Sequence, residues 1–305
     1  MKPLVIIPHD EFVLKTETLR AGLGPEGAML ICGNSNLYWL TGRVFSGYVF
    51  IPAKGPLVIF VKRPVGLEGD FVEYIRKPEQ IAETVGLNTP GALHLELDTL
   101  AYSAVLRLAA IFPQAKIENA SAAIRSARAV KTPREIGLMK ISGEKQTRVY
   151  RLVPRLYRPG MTDIELQIEI ERQSRLEGCL GEFRISGDSM EIYMGNVLAG
   201  ENADNPTPYD FAMGGAGLDP SLPVGADGSV IRPGDAVMVD VNGNYTGYMT
   251  DMTRTFAATT LSPLAAKAHQ CSVDICAALA AAGKPGVEAK ALYTLSENMA
   301  ADAGL

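Results

Sequence analysis

The chain has 305 residues, which predicts two domains, and it is 47% hydrophobic and 21% charged, as expected for proteins with substantial buried cores. The net charge of -5, without basic runs, argues against nucleic acid or an anionic membrane as a partner. The amino terminus predicts no signal peptide, and no apolar run is suited to spanning a membrane. The four cysteines, Cys32, Cys179, Cys271 and Cys276, form no CxxC pair, which predicts reduced, mostly buried thiols in a cytoplasmic protein.

The first third of the chain alternates short apolar runs with helical patterns. Four of the runs resemble strands that are buried on both faces, and they cover residues 28–32, 48–51, 57–61 and 93–97. A helical pattern covers residues 99–112. Strands that alternate with helices predict an α/β layer.

Two capping boxes mark the helices that follow. Thr132 with Glu135, and Thr162 with Glu165, have the spacing of a side chain that caps a helix and is capped in return. The first helix is predicted to run to residues 154–156 and the second to end near residue 178.

Glycine-rich turns and short strands are predicted from residue 181 to residue 256. A third helix then follows, with Ser262 as its cap and Gly283 as its end. The change of pattern predicts a domain of residues 1–127 and a second of residues 128–305.

The segment VMVDVNGNYTGYMTDMTRTF, residues 237–256, places Asp240 and Asp251 in two strand-like runs around a turn. A turn centred between Tyr245 and Thr246 would set the two carboxylates directly opposite each other, with their Cβ atoms about 5 Å apart. Two such charges repel, so a shared proton or a pair of divalent cations would be needed to compensate them. The alternative is that both aspartates are solvated residues beside a turn.

This segment resembles the D-x-(about ten)-D-x-T-R segment of the pita-bread metallopeptidases, the family of methionine aminopeptidase, aminopeptidase P and prolidase. The elements GDAVMVD (residues 234–240), GY (247–248) and DMTRTF (251–256) occur in the family's order. ICGNSNLYWLTG (31–42) resembles the amino-terminal domain of the creatinase and prolidase branch. ARAVKTPREIGLMKISGE (127–144) resembles the entry to the catalytic domain, and GMTDIELQIEIERQSRLEG (160–178) resembles its second helix.

The resemblance implies a creatinase-like α/β domain followed by a pita-bread α+β catalytic domain. It also implies that Asp240 and Asp251 hold two divalent ions, with Mn, Co and Zn all compatible with carboxylate ligands. The implied activity is hydrolysis at peptide amino termini by an Xaa-Pro aminopeptidase or dipeptidase, in a homodimer. In such enzymes the ions activate a water molecule for attack on the peptide bond.

Two departures from the family pattern modify this expectation. The family's metal-binding histidine and two glutamates, including the general base, would lie beyond Leu305. The catalytic domain is therefore predicted to be incomplete, and this chain alone to be inactive. Val224 occupies the position of a histidine that prolidase-like relatives carry in an L-P-H-G context. Valine neither donates a hydrogen bond nor carries a proton.

Tyr248 and Arg254 belong to the matched segment and are candidate residues around the site. Tyr248 would line the cleft or pack in the core. Arg254 would orient carboxylates by a two-pronged bond or form an ordinary salt bridge. Two other functions fit the sequence: a non-catalytic binding protein that keeps this fold, which Val224 favours, and a metal-free hydrolase like creatinase.

Overall fold

The computed structural model describes residues 2–86, 89–182, 194–209 and 214–305. The chain divides into two compact units, Met1–Gly137 and Leu138–Leu305. The boundary predicted at residue 127 falls inside the helix Ser121–Ala129, whose Ile124 is buried in a core of the first unit.

The first unit contains eight strands among its described residues. They are β1 (Lys2–Pro3), β2 (Gly27–Ile31), β3 (Ser46–Pro52), β4 (Val58–Arg63), β5 (Leu67–Glu68), β6 (Val72–Tyr74), β7 (Ala92–Leu95) and β8 (Lys116–Asn119). Its helices are α1 (His9–Arg20), α2 (Asn34–Thr41), α3 (Ile81–Val85), α4 (Tyr102–Ala109) and α5 (Ser121–Ala129), with a short 3-10 helix at Pro78–Gln80.

Six of these strands form one mixed sheet in the order β6-β4-β3-β2-β7-β8. Strands β2, β7 and β8 are parallel to one another, and β3 is antiparallel to both of its neighbours. Successive residues of β2 point to opposite faces, so Met29 enters one hydrophobic core and Leu30 enters the other. The prediction of an α/β layer with strands buried on both faces is confirmed.

The cysteines differ in part from expectation. All four are free thiols, but only Cys179 is buried, and Cys276 is exposed. The prediction of mostly buried thiols is therefore wrong. Cys276 lies on a helix that has no buried residue, where a small apolar side chain gains no cover.

A buried group of charges joins α1 to the chain at residues 134–135. Lys15 Nζ lies 2.6 Å from the Glu11 carboxylate, 3.0 Å from that of Glu135 and 2.8 Å from the Trp39 carbonyl oxygen. Arg134 donates two bonds to Glu11, at 2.7 and 3.1 Å. Two cations thus balance two carboxylates, as buried charges require.

The second unit has fewer strands and longer helices. Its elements are α6 (Pro133–Leu156, which begins in the first unit), α7 (Asp163–Leu176), β9 (Gly195–Ala199), β10 (Ala236–Val241), β11 (Gly243–Asn244), β12 (Met249–Thr250), β13 (Thr253–Ala257), α8 (Pro263–Ala282) and α9 (Ala289–Asp302), with a short 3-10 helix at Gly200–Asp204. Both predicted capping boxes are confirmed, since Thr132 and Glu135 cap each other, as do Thr162 and Glu165.

The core of this unit lies between α6, α7 and a three-stranded antiparallel sheet in the order β13-β10-β9. Val237, Val239 and Val241 of β10 point into this core, which leaves Met238 and Asp240 on the other face of the sheet. Helices α8 and α9 contact each other and contain no buried residue. None of the helices in the described part of the chain is long and apolar enough to cross a membrane.

Candidate metal centre

The strand register does not place the two aspartates directly opposite each other, in contrast to the prediction from the sequence. In the β10–β13 ladder the residue opposite Asp240 is Thr253, and in the β11–β12 ladder Gly243 faces Thr250. Both ladders share one register, which centres the turn between Thr246 and Gly247. The prediction of a turn one residue earlier, with Asp251 directly opposite Asp240, is wrong.

Gly247 explains the shift of the turn. It has a φ of 82°, in the left-handed region that suits glycine. Its N–H donates to the side chain of Asn244 at 2.9 Å, which closes the loop around residues 245–248. Because glycine adopts this φ readily, the turn is centred beside Gly247 and not one residue earlier.

Asp240 and Asp251 nevertheless lie close enough for their charges to interact. Asp251 lies outside the strands, two residues before Thr253, and its charge acts on the Asp240 carboxyl. Asp240 is half-buried and accepts a 2.8 Å bond from the Thr253 hydroxyl, whereas Asp251 is exposed. Burial raises the pKa of Asp240, the Thr253 bond opposes this, and the charge of Asp251 raises the pKa further.

Tyr150 fills a break in the ladder between these aspartates. The Val241 N–H donates to the Tyr150 hydroxyl at 2.9 Å, and the hydroxyl lies 3.1 Å from the carbonyl oxygens of Val239 and Val241. It also contacts the carbonyl of Met252, the residue before β13. Burial raises the pKa of Tyr150, and the charges of Asp240 and Asp251 also raise it. The phenol therefore lies within the field of both carboxylates.

Tyr150 belongs to a buried polar stripe on α6 that the sequence analysis missed. Ser142 donates to the Tyr248 carbonyl at 2.8 Å, and Gln146 bonds the Val241 carbonyl while accepting from the Tyr245 hydroxyl at 2.7 Å. The three residues follow each other at intervals of four, which places them on one face of a helix. A polar residue at every fourth position of an otherwise apolar helix face is the sequence pattern that would have indicated this stripe.

The two neighbouring candidates have different surroundings. Arg254 is exposed and donates to the carbonyl of Thr253, the strand partner of Asp240, at 2.6 Å. Strand alternation places it on the face opposite to Asp240. Tyr248 is half-buried in the turn, where its N–H lies 3.4 Å from the Thr246 hydroxyl.

Val224 lies in a separate loop, is 5% exposed, and donates its N–H to the Leu222 carbonyl. The loop is held by Asn202, which bonds the Gly225 carbonyl at 3.0 Å and the Ala216 N–H at 2.9 Å. Asp163 supports the same region, because its buried carboxylate accepts bonds from the N–H groups of residues 227 and 228. Val224 is thus placed as a fixed apolar side chain.

The aspartate pair fits a divalent cation only in part. Two neighbouring carboxylates, one of them half-buried and repelled by the other, offer the oxygen donors that hard cations prefer. Within the described ranges, however, no three His, Cys, Asp or Glu side chains are grouped to hold a metal. Two aspartates also balance only half the charge of two dications.

Two family models match the chain. The model described as metallopeptidase family M24 matches residues 137–305, which is more than half of the chain. The model described as the creatinase/prolidase amino-terminal domain matches residues 26–130.

Curated relatives share about a quarter of their residues with this chain. An uncharacterized peptidase, YqhT, of Bacillus subtilis is 24% identical over 306 residues, covering 95% of this chain and 78% of the relative. An Xaa-Pro dipeptidase of Lactobacillus helveticus is 25% identical over 211 residues, covering 69% of this chain and 51% of the relative. The second match spans about half of that enzyme.

Solved structures show the same fold. An Xaa-Pro dipeptidase from Bacillus anthracis has a TM-score of 0.72 at 22% identity, covering 96% of this chain and 78% of the other. An X-Pro aminopeptidase from Thermotoga maritima has a TM-score of 0.76 at 20% identity, covering 94% and 78%. With both domain models matched in order, this chain belongs to metallopeptidase family M24, and it carries a creatinase/prolidase amino-terminal domain.

Proposed function

We propose that this protein is a metal-dependent peptidase that acts at peptide amino termini before proline, with Asp240 and Asp251 as two ligands of its divalent centre. The observation that carries the proposal is the proximity of these carboxylates at the β10–β13 hairpin, where the charge of Asp251 raises the pKa of Asp240. The named activities of the M24 relatives, Xaa-Pro dipeptidase and X-Pro aminopeptidase, support the substrate class.

Each residue around the pair has a definable task. Thr253 holds one carboxylate oxygen of Asp240, which leaves the other oxygen available to a ligand. Tyr150 fixes the separation of the two strands at Val241 and Met252 and so fixes Asp251 relative to Asp240. Further anionic ligands must complete the charge balance, and we propose that they lie outside the described residues. A divalent ion bound here supplies a water molecule of lowered pKa and a Lewis acid for the peptide carbonyl.

Binding of Mn²⁺ to the 305-residue chain tests the ligand assignment directly. We expect Asp240→Asn and Asp251→Asn each to weaken Mn²⁺ binding at least tenfold in equilibrium dialysis monitored by electron paramagnetic resonance. Asp302→Asn, at an exposed position on α9, is the matched control and should bind Mn²⁺ as the parent does. Saturable Mn²⁺ binding by the parent that is unchanged in both site variants would remove the pair from the metal centre.

Turnover tests the substrate class separately from metal binding. In protein that carries the complete set of metal ligands, with Mn²⁺, Co²⁺ or Zn²⁺ added, release of proline from Ala-Pro should exceed release of glycine from Ala-Gly. The prediction that this chain alone is inactive is tested in the same assay. Activity that survives exhaustive chelation would favour the metal-free, creatinase-like hydrolase instead.

A non-catalytic binding protein is the second candidate, and Val224 favours it. This buried valine can neither donate a hydrogen bond nor carry a proton where the resembling enzymes have a histidine. Saturable binding of an Xaa-Pro peptide without hydrolysis, by a protein loaded with metal, would support this function. The expected homodimer is a separate proposal, which light scattering coupled to size-exclusion chromatography would test.

A further inference from the structure

A cleft of about 970 Å³ opens at one end of the central strands of the six-stranded sheet in the first unit. Cys32 follows β2, Tyr48 lies near the start of β3, and Lys62 and Arg63 end β4. Because β3 is antiparallel to both neighbours, all four residues lie at the same end of these strands. Helix α4 adds Arg107 to the lining. The volume lies at the upper end of the range for small-molecule sites. These residues belong to the first unit, whereas the aspartate pair belongs to the second.

The topology of the sheet favours ligand binding at this end of the strands. Strands β2 and β7 are parallel neighbours, and the chain leaves their carboxyl ends toward α2 and α4, respectively. Leu37 of α2 is buried in the core on one face of the sheet, and Leu108 of α4 is buried in the core on the other. The connections therefore diverge to opposite faces, and crevices formed in this way are the usual ligand sites of open α/β sheets.

The charges of the cleft all have one sign. None of the described lining residues carries a carboxylate. Arg107 is already paired with Glu79 by bonds of 2.7 and 3.1 Å. Lys62 and Arg63 form no ion pair with any described residue, and the Lys62 ammonium lies 5.3 Å from the centre of the Tyr48 ring. Two cations are thus available to an incoming anion.

The rest of the lining is apolar or carries neutral donors. Phe45, Leu100 and Leu108 contribute hydrocarbon surface. Burial raises the pKa of the Cys32 thiol to about 12, with the nearby charge of Glu96 acting in the same direction. Burial likewise raises the pKa of Tyr48. Both groups therefore remain protonated near neutral pH, and the thiol reacts only slowly with electrophiles.

We propose that this cleft binds a small organic carboxylate with an apolar body, which places the carboxylate at Lys62 and Arg63 and the body against Tyr48 and Leu108. Two available cations and a mostly apolar wall suit a singly charged group.

Three isosteric probes separate charge recognition from simple apolar binding. They are 4-phenylbutyrate, 4-phenylbutan-1-ol and 4-phenylbutylamine, each titrated by calorimetry into the 305-residue chain without added metal. We expect saturable binding of the carboxylate at least tenfold tighter than binding of the alcohol, and no binding of the amine. Equal affinity for the carboxylate and the alcohol, or no saturable binding of the carboxylate, would overturn the proposal.

Variants and thiol protection locate the bound probe. Lys62→Gln/Arg63→Gln should weaken 4-phenylbutyrate binding at least fivefold. The control Lys54→Gln/Arg76→Gln, at exposed positions outside this cleft, should leave it unchanged. Bound carboxylate should slow N-ethylmaleimide labelling of Cys32, followed by peptide mass spectrometry, but not labelling of the exposed Cys276.

Unchanged affinity in the Lys62/Arg63 variant would refute the assignment, provided that its circular dichroism spectrum and melting temperature match the parent's. Unprotected Cys32 at saturating carboxylate would also refute it, and this readout needs no variant. Neither result bears on the proposed peptidase function, because the binding is measured without metal and without peptide turnover.

Discussion

The Tyr150 hydroxyl and the backbone of Val241 are hydrogen-bonded in both directions. The Val241 N–H lies 2.9 Å from the phenol oxygen, and that oxygen lies 3.1 Å from the Val241 carbonyl. A helix side chain thereby takes the place of a strand neighbour in the ladder, next to Asp240. The phenol also contacts the carbonyl of Met252, the residue after Asp251. The positions of the two aspartates therefore depend on one buried tyrosine of α6.

Tyr150→Phe removes this link while keeping the ring in the core. The buried Val241 N–H loses its acceptor, and unsatisfied buried groups of this kind cost about 1–3 kcal/mol. We expect the free energy of unfolding to fall by about that amount in urea denaturation. We also expect Mn²⁺ affinity to fall, because Asp251 is no longer held relative to Asp240.

The matched control is Tyr293→Phe, at an exposed tyrosine on α9. It should change both quantities little. If Tyr150→Phe lowered stability but left Mn²⁺ affinity unchanged, the phenol would be a structural residue only.

The raised pKa of Asp240 gives stability a defined pH dependence. A carboxyl whose pKa is higher in the folded than in the unfolded protein stabilises the fold at low pH, and this contribution is lost as pH rises through the folded pKa. In metal-free protein, the free energy of unfolding of the parent minus that of Asp240→Asn should therefore fall as pH rises from the ordinary aspartate value, about 3.9. Urea denaturation between pH 3.5 and pH 7 measures this difference.

Asp219 provides a control of opposite sign. Its bonds with Ser221 hold the pKa of this exposed carboxyl below its ordinary value. The difference between the parent and Asp219→Asn should thus be smaller and should fall as pH decreases. A flat or rising difference for Asp240 would contradict the cause assigned to its pKa.

Local signals in the sequence predicted much of the fold. The spacing of Thr132 with Glu135 located the start of α6, because a capping box is made within four residues of chain. The apolar run around Leu30 predicted a strand covered on both faces for a similar reason, since burial on two sides leaves no position for a polar residue. Both depend on short stretches that specify their own structure.

The candidate site was predictable in identity but not in geometry. Asp240 and Asp251 stand out by motif, but their relative position depends on a positive φ at Gly247 and on the insertion of Tyr150 from a helix about ninety residues earlier. A turn centre that is wrong by one residue alters every pair along the hairpin. Contacts between α6 and the strands are long-range, so no periodicity within residues 237–256 reports them.

Lys15→Met tests the buried charges at the start of α6. Without Lys15, the carboxylates of Glu11 and Glu135 retain only Arg134 as a cation in this group. Burial acts to raise the pKa of Glu11, but the bonds from Arg134 and Lys15 outweigh it and hold that pKa below its ordinary value. Loss of one partner from a buried group costs about 3–5 kcal/mol, and we expect a decrease of that size in urea denaturation.

The double variant Lys15→Met/Glu135→Gln restores charge balance. It should recover part of the lost stability, since the glutamine oxygen can still accept the helix-capping bond from the Thr132 N–H. No recovery in the double variant would indicate that the loss arises from packing of the lysine side chain against Trp39 and not from charge.

Gly195→Ala should disturb β9, which pairs with β10, the strand that contains Asp240. Gly195 has a φ of 140°, and a Cβ built there would lie 2.0 Å from the Asp240 carbonyl oxygen. Backbone strain and overpacking each cost about 1–3 kcal/mol, so we expect the free energy of unfolding to fall by about 2–6 kcal/mol. Gly137→Ala is the control: its Cβ would meet nothing within 4 Å on α6, and alanine should stabilise this helix by about 0.5–1 kcal/mol. Urea denaturation should therefore shift in opposite directions for the two variants. If Gly195→Ala were as stable as the parent, β9 would be able to move away from Asp240, and the aspartate would not be fixed by its neighbouring strand.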